Sequence, residues 1–394
     1  MRNKPKYTLC ASLIILSLSF MLSLSCDTNK PLNSSKTEDT ITVGEYKKIY
    51  SEILNEERKL IVRLPPGYDK TNLAYPVLYL LDAEWESLFL SSVATAEYLS
   101  GFGLIPKMII VGICNTDRDR DMLPVKREGR PESGGAKNFL QLITGELMPY
   151  VKEHYRTASY NLLFGGSNAG LFTVYALFES PEMFNSCIAA SPMIGHCPDF
   201  MHKLAEDAIL QKDLSSRSLY MIYGDDDLPG TTSYVPDFFE LIKTKSADGF
   251  SCQSKIIEKG GHVPYISLHD GLRFVFSGWQ YPIDRIGKSN LEDIVEHYRH
   301  LTDKYGFEAE IPLDPLITIA FVLGEKEDIP QTIEALLLAC KIHPYSADAF
   351  YYLGTAYEKA GDSDLAISQY KKALEINPDY PLASQRILQL EKKK

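Results

Sequence analysis

Ser167 stands in the stretch Asn161-Leu-Leu-Phe-Gly-Gly-Ser167-Asn-Ala-Gly-Leu-Phe-Thr-Val-Tyr175, where an apolar strand-like run meets a helix-like one. A serine hydroxyl is a weak nucleophile until a base takes its proton, an acid orients that base, and prearranged donors meet the oxyanion. Downstream the chain offers Asp225, Asp226 and Asp227 beyond Gly224, and then His262, which lies 35 residues after Asp227 and follows Gly260 and Gly261. The order serine, acid, histidine, with the serine on a strand-to-helix turn, suits nucleophilic attack on an ester carbonyl. Asp227 is the favoured acid, with Asp225 and Asp226 left open, and His262 is the expected base. His269 falls where a helix should already have formed, and His154, His196 and His202 precede the acid and break the order.

The usual turn reads Gly-x-Ser-x-Gly, and here Ala169 takes the last place. One methyl group is the smallest addition, and Gly170 follows directly, so the turn is expected to survive. The backbone N–H of Asn168 is one expected oxyanion donor. The other should come from Ala83 or Glu84, in the loop after the run 76–83.

These residues need a scaffold. Apolar runs at 76–83, 107–114, 160–166, 186–192 and 218–225 read as strands buried on both faces, and 57–65 alternates like a half-exposed strand. Between them, 136–155 and 234–246 space their apolar residues at three and four, as helices do. The pattern predicts a doubly wound α/β sheet, mostly parallel after an antiparallel start. Beyond about residue 310 the strands stop. Pro344 and Pro378 lie 34 apart, and with that offset Asp328, Ile333, Ala339 and Ile342 fall on Asp362, Ile367, Ala373 and Ile376. That period belongs to helix-turn-helix repeats, and two copies are fewer than usually stand alone. They are therefore expected to dock on the sheet domain through the helix predicted at 291–306.

The 394 residues carry a net charge of −11, which disfavours a nucleic-acid partner. Arg2, Lys4 and Lys6 precede an apolar run from Leu9 to Leu24 that ends in small residues before Cys26. This resembles a bacterial lipoprotein signal, which implies a lipidated Cys26, export to the cell envelope and a membrane anchor. Removing residues 1–25 takes away three positive charges and no acidic ones, leaving −14. The polar stretch to residue 44 reads as a flexible tether. The remaining cysteines show no metal-type spacing and read as buried thiols, with one disulfide open to an exported chain.

Several stretches together resemble the esterase family of α/β hydrolases that includes enterobactin-type siderophore esterases, feruloyl esterases and S-formylglutathione hydrolases. They are 64–84, 111–124 ("VGICNTDRDRDMLP"), 134–157, 164–192 and 263–279. The resemblance implies an α/β-hydrolase domain over 45–282, with Ser167 as nucleophile and Asp227 as acid. Relatives commonly read His-x-Ser-Val-Pro, whereas here Gly260 holds the histidine position and His262 directly precedes Val263. Either the loop is redrawn by two residues so that His262 still reaches Ser167, or the triad is broken. Region 283–312 is then a linking helix, and 313–394 resembles two tetratricopeptide repeats with a capping helix, implying a protein partner. The leading expectation is a serine carboxylic-ester hydrolase needing no metal or organic cofactor, acting on a small-molecule or glycan-linked ester. A catalytically impaired binding scaffold and an acyltransferase are the alternatives.

Overall fold

The computed structural model describes residues 41–392 except residue 247. The signal, Cys26 and most of the tether lie outside the described residues. From Val43 onward the chain forms one compact unit.

Eight strands make one sheet: β1 (Glu45–Ser51), β2 (Glu56–Arg63), β3 (Tyr75–Leu80), β4 (Ile109–Ile113), β5 (Thr157–Gly166), β6 (Ser186–Ala190), β7 (Ser218–Gly224) and β8 (Ser251–Ile257). Their order is β1-β2-β4-β3-β5-β6-β7-β8. The pairs β1–β2 and β2–β4 are antiparallel, and all pairs from β4 through β3 to β8 are parallel. This is the doubly wound, mostly parallel sheet with an antiparallel start that the apolar runs predict. Strands β3, β4 and β6 are buried along their whole length, while β1 and β8 sit at the two edges and are part exposed.

The helices are α1 (Glu86–Gly101), α2 (Arg118–Met122), α3 (Ala136–Leu142), α4 (Met148–His154), α5 (Asn168–Glu179), α6 (Pro198–Gln211), α7 (Pro229–Thr232) and α8 (Val235–Lys245). They continue with α9 (Ser267–Val275), α10 (Ile283–Ile286), α11 (Leu291–Tyr305), α12 (Leu313–Glu325), α13 (Ile329–Ile342), α14 (Ala347–Lys359), α15 (Ser363–Ile376) and α16 (Pro381–Glu391). The helix expected over 136–155 is interrupted by one π-helical turn, Ile143–Leu147, between α3 and α4.

Strand alternation gives each face of the sheet its own core. Leu163 of β5 joins Tyr79, Val111 and Cys187 beneath α3, α5 and α6. Its neighbours Leu162 and Phe164 point the other way, with Leu78, Ile110 and Ile188, beneath α1 and α9. That second core does not stop at the α/β part. Ile294, Tyr298 and Leu301 of α11 continue it through Phe276 and Trp279 to Leu316, Ile319, Leu336 and Leu353 of the C-terminal helices. Helix α11 is fixed at its start by a reciprocal cap between Asn290 and Asp293. The 34-residue period is visible in the caps as well. Asp328 accepts the Gln331 N–H ahead of α13, and Asp362 accepts the Leu365 N–H ahead of α15. A smaller cluster, with Tyr370, Ala373, Ala383 and Leu390, closes the end of the chain.

Cys114, Cys187, Cys197, Cys252 and Cys340 are all free, and only Cys252 is not buried. Burial pushes the Cys114 thiol up to about 11 and that of Cys197 up to about 12, so both stay protonated and inert at neutral pH.

Candidate active site

Ser167 is the residue between the end of β5 and the start of α5, with φ 61° and ψ −121°. A non-glycine residue there is strained by about 1–3 kcal/mol and persists only where its surroundings fix it. They do so on both sides: the Ser167 N–H donates to the Ala190 carbonyl at 2.9 Å, and the Ser167 carbonyl accepts from the Leu171 N–H at 3.0 Å. The turn also needs its neighbours small. A Cβ on Gly165 would lie 2.5 Å from the Ala169 carbonyl oxygen, and one on Gly170 would lie 2.7 Å from the Ala190 oxygen. Ala169 itself is buried in the first core. The substituted position therefore tolerates its methyl, and the need for glycine falls on Gly170.

Asn168 opens α5, so its N–H has no intrahelical acceptor. Of the two donors expected opposite it, Ala83 donates its N–H to the Ile113 carbonyl at 3.1 Å. The Glu84 N–H takes no acceptor among the described residues. The loop carrying it turns at Asp82, whose φ of 58° is again left-handed.

Arg118 ties that loop to the serine turn. Its Nε and Nη2 donate to both oxygens of buried Asp82 at 2.8 and 2.9 Å, and Nη2 also donates to the Gly166 carbonyl at 3.2 Å. Burial works against the Arg118 charge, but the Asp82 carboxylate outweighs it and holds the guanidinium above its usual range. The same cation lies over the Trp85 ring, 5.3 Å from its centre. Asn115 Nδ2 donates to Asp82 at 2.5 Å, and the Asn115 backbone N–H donates to the Glu84 carboxylate at 3.0 Å. Reasoning from residue type missed this linkage. Its one visible trace is the run Asp117-Arg-Asp-Arg-Asp121, which marks the stretch without showing which arginine turns inward.

Helix α2, which carries Arg118, is itself anchored by charge. Arg58 is fully buried and reaches Asp121 at 2.8 Å, while Arg120 meets Asp121 and Glu56 at 2.7 and 2.8 Å. The Arg120 hydrogen bond, against a smaller opposing effect of burial, holds the Glu56 carboxyl down at about 2.

The three aspartates after β7 separate cleanly. His262 Nδ1 lies 2.6 Å from Asp227 Oδ1; the Asp227 side chain is fully buried, while that of His262 is one-third exposed. A carboxylate oxygen accepts, so in this contact the ring Nδ1 is the donor and Nε2 is the ring nitrogen turned away from Asp227. Asp225 instead accepts the Lys259 N–H and Asp226 the Gly261 N–H, each at 2.7 Å. The histidine loop is pressed against the serine turn: a Cβ on Gly166 would lie 2.9 Å from Val263 Cγ1. Val263 in turn donates its N–H to Ser191 Oγ at 2.8 Å.

The other histidines are placed elsewhere. His154 and His202 bond to carbonyls of their own helices, and His269 pairs with Asp270. His196 follows the segment that packs on the Ser167 carbonyl, and burial together with nearby Arg127 holds it below the usual imidazole range. Among the described residues no group of three or more His, Cys, Asp or Glu side chains could hold a metal ion.

A cavity of about 880 Å³ lies at the other end of the parallel strands, walled by Tyr75, Phe102, Trp279, Tyr281 and Phe307. In open α/β sheets the chemistry gathers at the carboxyl ends of the strands, where Ser167, Asp227 and Glu84 lie, so the serine turn marks the site in preference to this cavity.

Comparisons with known proteins show what the chain is similar to. The ferri-bacillibactin esterase BesA of Bacillus subtilis is 35% identical over 143 residues, which are 30% of this chain and 48% of BesA. The siderophore triacetylfusarinine C esterase of Aspergillus fumigatus is 30% identical over 131 residues, 30% of this chain and 44% of that protein. The chain spans just under half the length of these curated relatives. An IroE-like serine hydrolase from Shewanella oneidensis shares the fold, with a TM-score of 0.64 at 24% identity over 75% of this chain and 98% of that one. Residues 347–380 match the tetratricopeptide repeat. Residues 51–276, more than half of the chain, match the family described as "Putative esterase", and the chain belongs to that family.

Proposed function

We propose that this chain is a serine carboxylic-ester hydrolase working through Ser167, His262 and Asp227. The observation that carries the reading is the 2.6 Å contact between His262 Nδ1 and buried Asp227, on a loop packed against the serine turn. His262 Nε2 takes the proton as Ser167 Oγ attacks the carbonyl carbon. The oxyanion is met by the N–H groups of Asn168 and Glu84. The alcohol leaves with the proton from His262, and water repeats the sequence on the acyl-enzyme to release the acid. Asp227 holds the tautomer throughout. General-base assistance of this kind is worth about 10²–10⁴-fold, and each oxyanion donor about 10²–10³-fold.

Siderophore esters are the favoured substrates, because two of the curated relatives are a ferri-bacillibactin esterase and a siderophore triacetylfusarinine C esterase. The flanks of the site suit a bulky, partly aromatic ester: Trp85, Leu228 and Tyr265, each within three residues of Glu84, Asp227 or His262, are exposed. Lipid anchoring through Cys26 would place the enzyme in the cell envelope, and the repeats would offer a protein partner a surface.

The test uses the mature full-length chain, a fluorophosphonate probe and short-chain aryl esters. Ser167 should label and the esters should turn over, and Ser167→Ala should lose both. Absence of labelling together with absence of turnover would sink the reading in favour of a non-catalytic scaffold.

A further inference from the structure

The loop that carries His262 is bent by three residues in the left-handed region: Lys259 at φ 51°, Gly261 at φ 64° and Val263 at φ 58°. Only one of them is glycine, and for the β-branched valine the conformation is a genuine outlier. Such a loop needs fastening from outside, and each of the three is fastened in the same way. The Lys259 N–H donates to Asp225 Oδ1 at 2.7 Å, the Gly261 N–H to Asp226 Oδ1 at 2.7 Å, and the Val263 N–H to Ser191 Oγ at 2.8 Å. Two of the acceptors are carboxylates, which bind an amide N–H more strongly than neutral acceptors do. Ser191 is fully buried and has its own N–H fixed on the Ile222 carbonyl at 2.7 Å. The fit is close as well. A Cβ on Gly224 would lie 2.5 Å from the Gly261 carbonyl oxygen and 2.9 Å from Asp226 Oδ1. His262 sits between the second and third anchors.

We propose that Asp225, Asp226 and Ser191 are positioning residues for the His262 base, each holding one strained backbone N–H of its loop. None of them touches the reacting atoms. They act by fixing where the imidazole stands, and a base displaced by an ångström loses much of its value. The three consecutive aspartates thereby divide their work: Asp227 orients the ring, while Asp225 and Asp226 hold the backbone on which the ring is mounted.

The proposal rests on the triad reading, so its test has one readout through activity and one without it. In Asp226→Ala, kcat for an aryl ester should fall about 10–100-fold with KM within about twofold, because the substrate contacts are untouched. Asp226→Asn keeps an oxygen acceptor and should recover most of the loss. In a His262→Ala background, Asp226→Ala should cost nothing further, since a residue that acts through the imidazole has nothing left to act on. Independently, the Lys259 and Gly261 amides should be protected from hydrogen exchange in the parent chain and lose that protection in Asp225→Ala and Asp226→Ala respectively. If Asp226→Ala does not fold, Ser191→Ala removes the third anchor and is read at the Val263 amide. Unchanged kcat and unchanged exchange in these variants would overturn the proposal. A parent chain that turns over no ester would instead count against the triad reading, and the exchange data would still decide the anchoring.

Discussion

Val263 lies against Gly166, so close that a β-carbon on the glycine would come within 2.9 Å of the valine Cγ1 and 3.1 Å of its Cγ2. The residue before Ser167 and the residue after His262 are thus in direct packing contact, and the spacing between serine and histidine is set by side-chain volume at this point.

Gly166→Ala should therefore move the histidine loop, since a branched side chain anchored through its own backbone cannot step aside. The expected cost is about 1–3 kcal/mol of stability from overpacking. Activity should fall further than that loss explains, and Val263→Ala in the same chain should return part of it. Denaturant melts and kcat/KM for the single and double variants check this, and additive effects would count against a direct clash.

Removing the Arg118 guanidinium leaves the buried Asp82 carboxylate without its cation. Arg118→Met should destabilise the fold by about 3 kcal/mol, the order expected when one partner of a buried pair is lost. It should also lower kcat, because the Glu84 loop loses its tie to Gly166. Arg118→Lys keeps the charge but not the two-pronged geometry, and should fall between the two. Equal activity in all three chains would show that the tie has no catalytic consequence.

Acid should loosen the molecule at Glu56. Its carboxyl titrates near 2 in the folded state against an ordinary value of 4.5, because Arg120 favours the ionised form. A depressed folded value means that the contribution is fully present above the unfolded value and is lost as pH falls from about 4.5 toward 2. Glu56→Gln should accordingly lower stability at pH 7 and flatten the decline between those limits. Urea midpoints at pH 7, 4 and 3 give the comparison, and parallel curves for the two chains would refute it.

Ending the chain after Glu310 removes α12 to α16 and uncovers the face of α11 that shares a core with Leu316 and Ile319. Each large side chain returned to water forfeits about 1.5–3 kcal/mol, so the melting temperature should drop by at least about 5 °C. An unchanged melting temperature would mean that the repeats merely rest on the α/β part.

Much of this was legible in the chain because buried parallel strands write themselves as apolar runs. β3, β4, β6 and β7 follow that rule. β8, with the sequence Ser-Cys-Gln-Ser-Lys-Ile-Ile, is a half-exposed edge strand whose residues carry no such signal, and β1 is its counterpart at the other edge. The serine turn was legible because a strand, two glycines and a helix occur in sequence. Asp227 was already the favoured partner for His262, but the backbone N–H groups taken by Asp225 and Asp226 were not legible, since adjacent identical residues differ only in the direction their side chains take. The Ala83 N–H bonds to Ile113, a residue of β4 that lies 30 positions away, and nothing local in the loop announces that contact. The Arg118–Asp82 pair joins residues 36 apart, and nothing local in either stretch announces it.

The histidine loop begins where β8 ends, and among the described residues β8 is hydrogen-bonded on one side only, to β7. The serine turn ends β5, which has a neighbour on each side. Ser167 and His262 thus belong to regions of unequal tenacity, and rim strands open before central ones. On gentle warming the His262 loop should come loose while the sheet is still whole, and settle back on cooling.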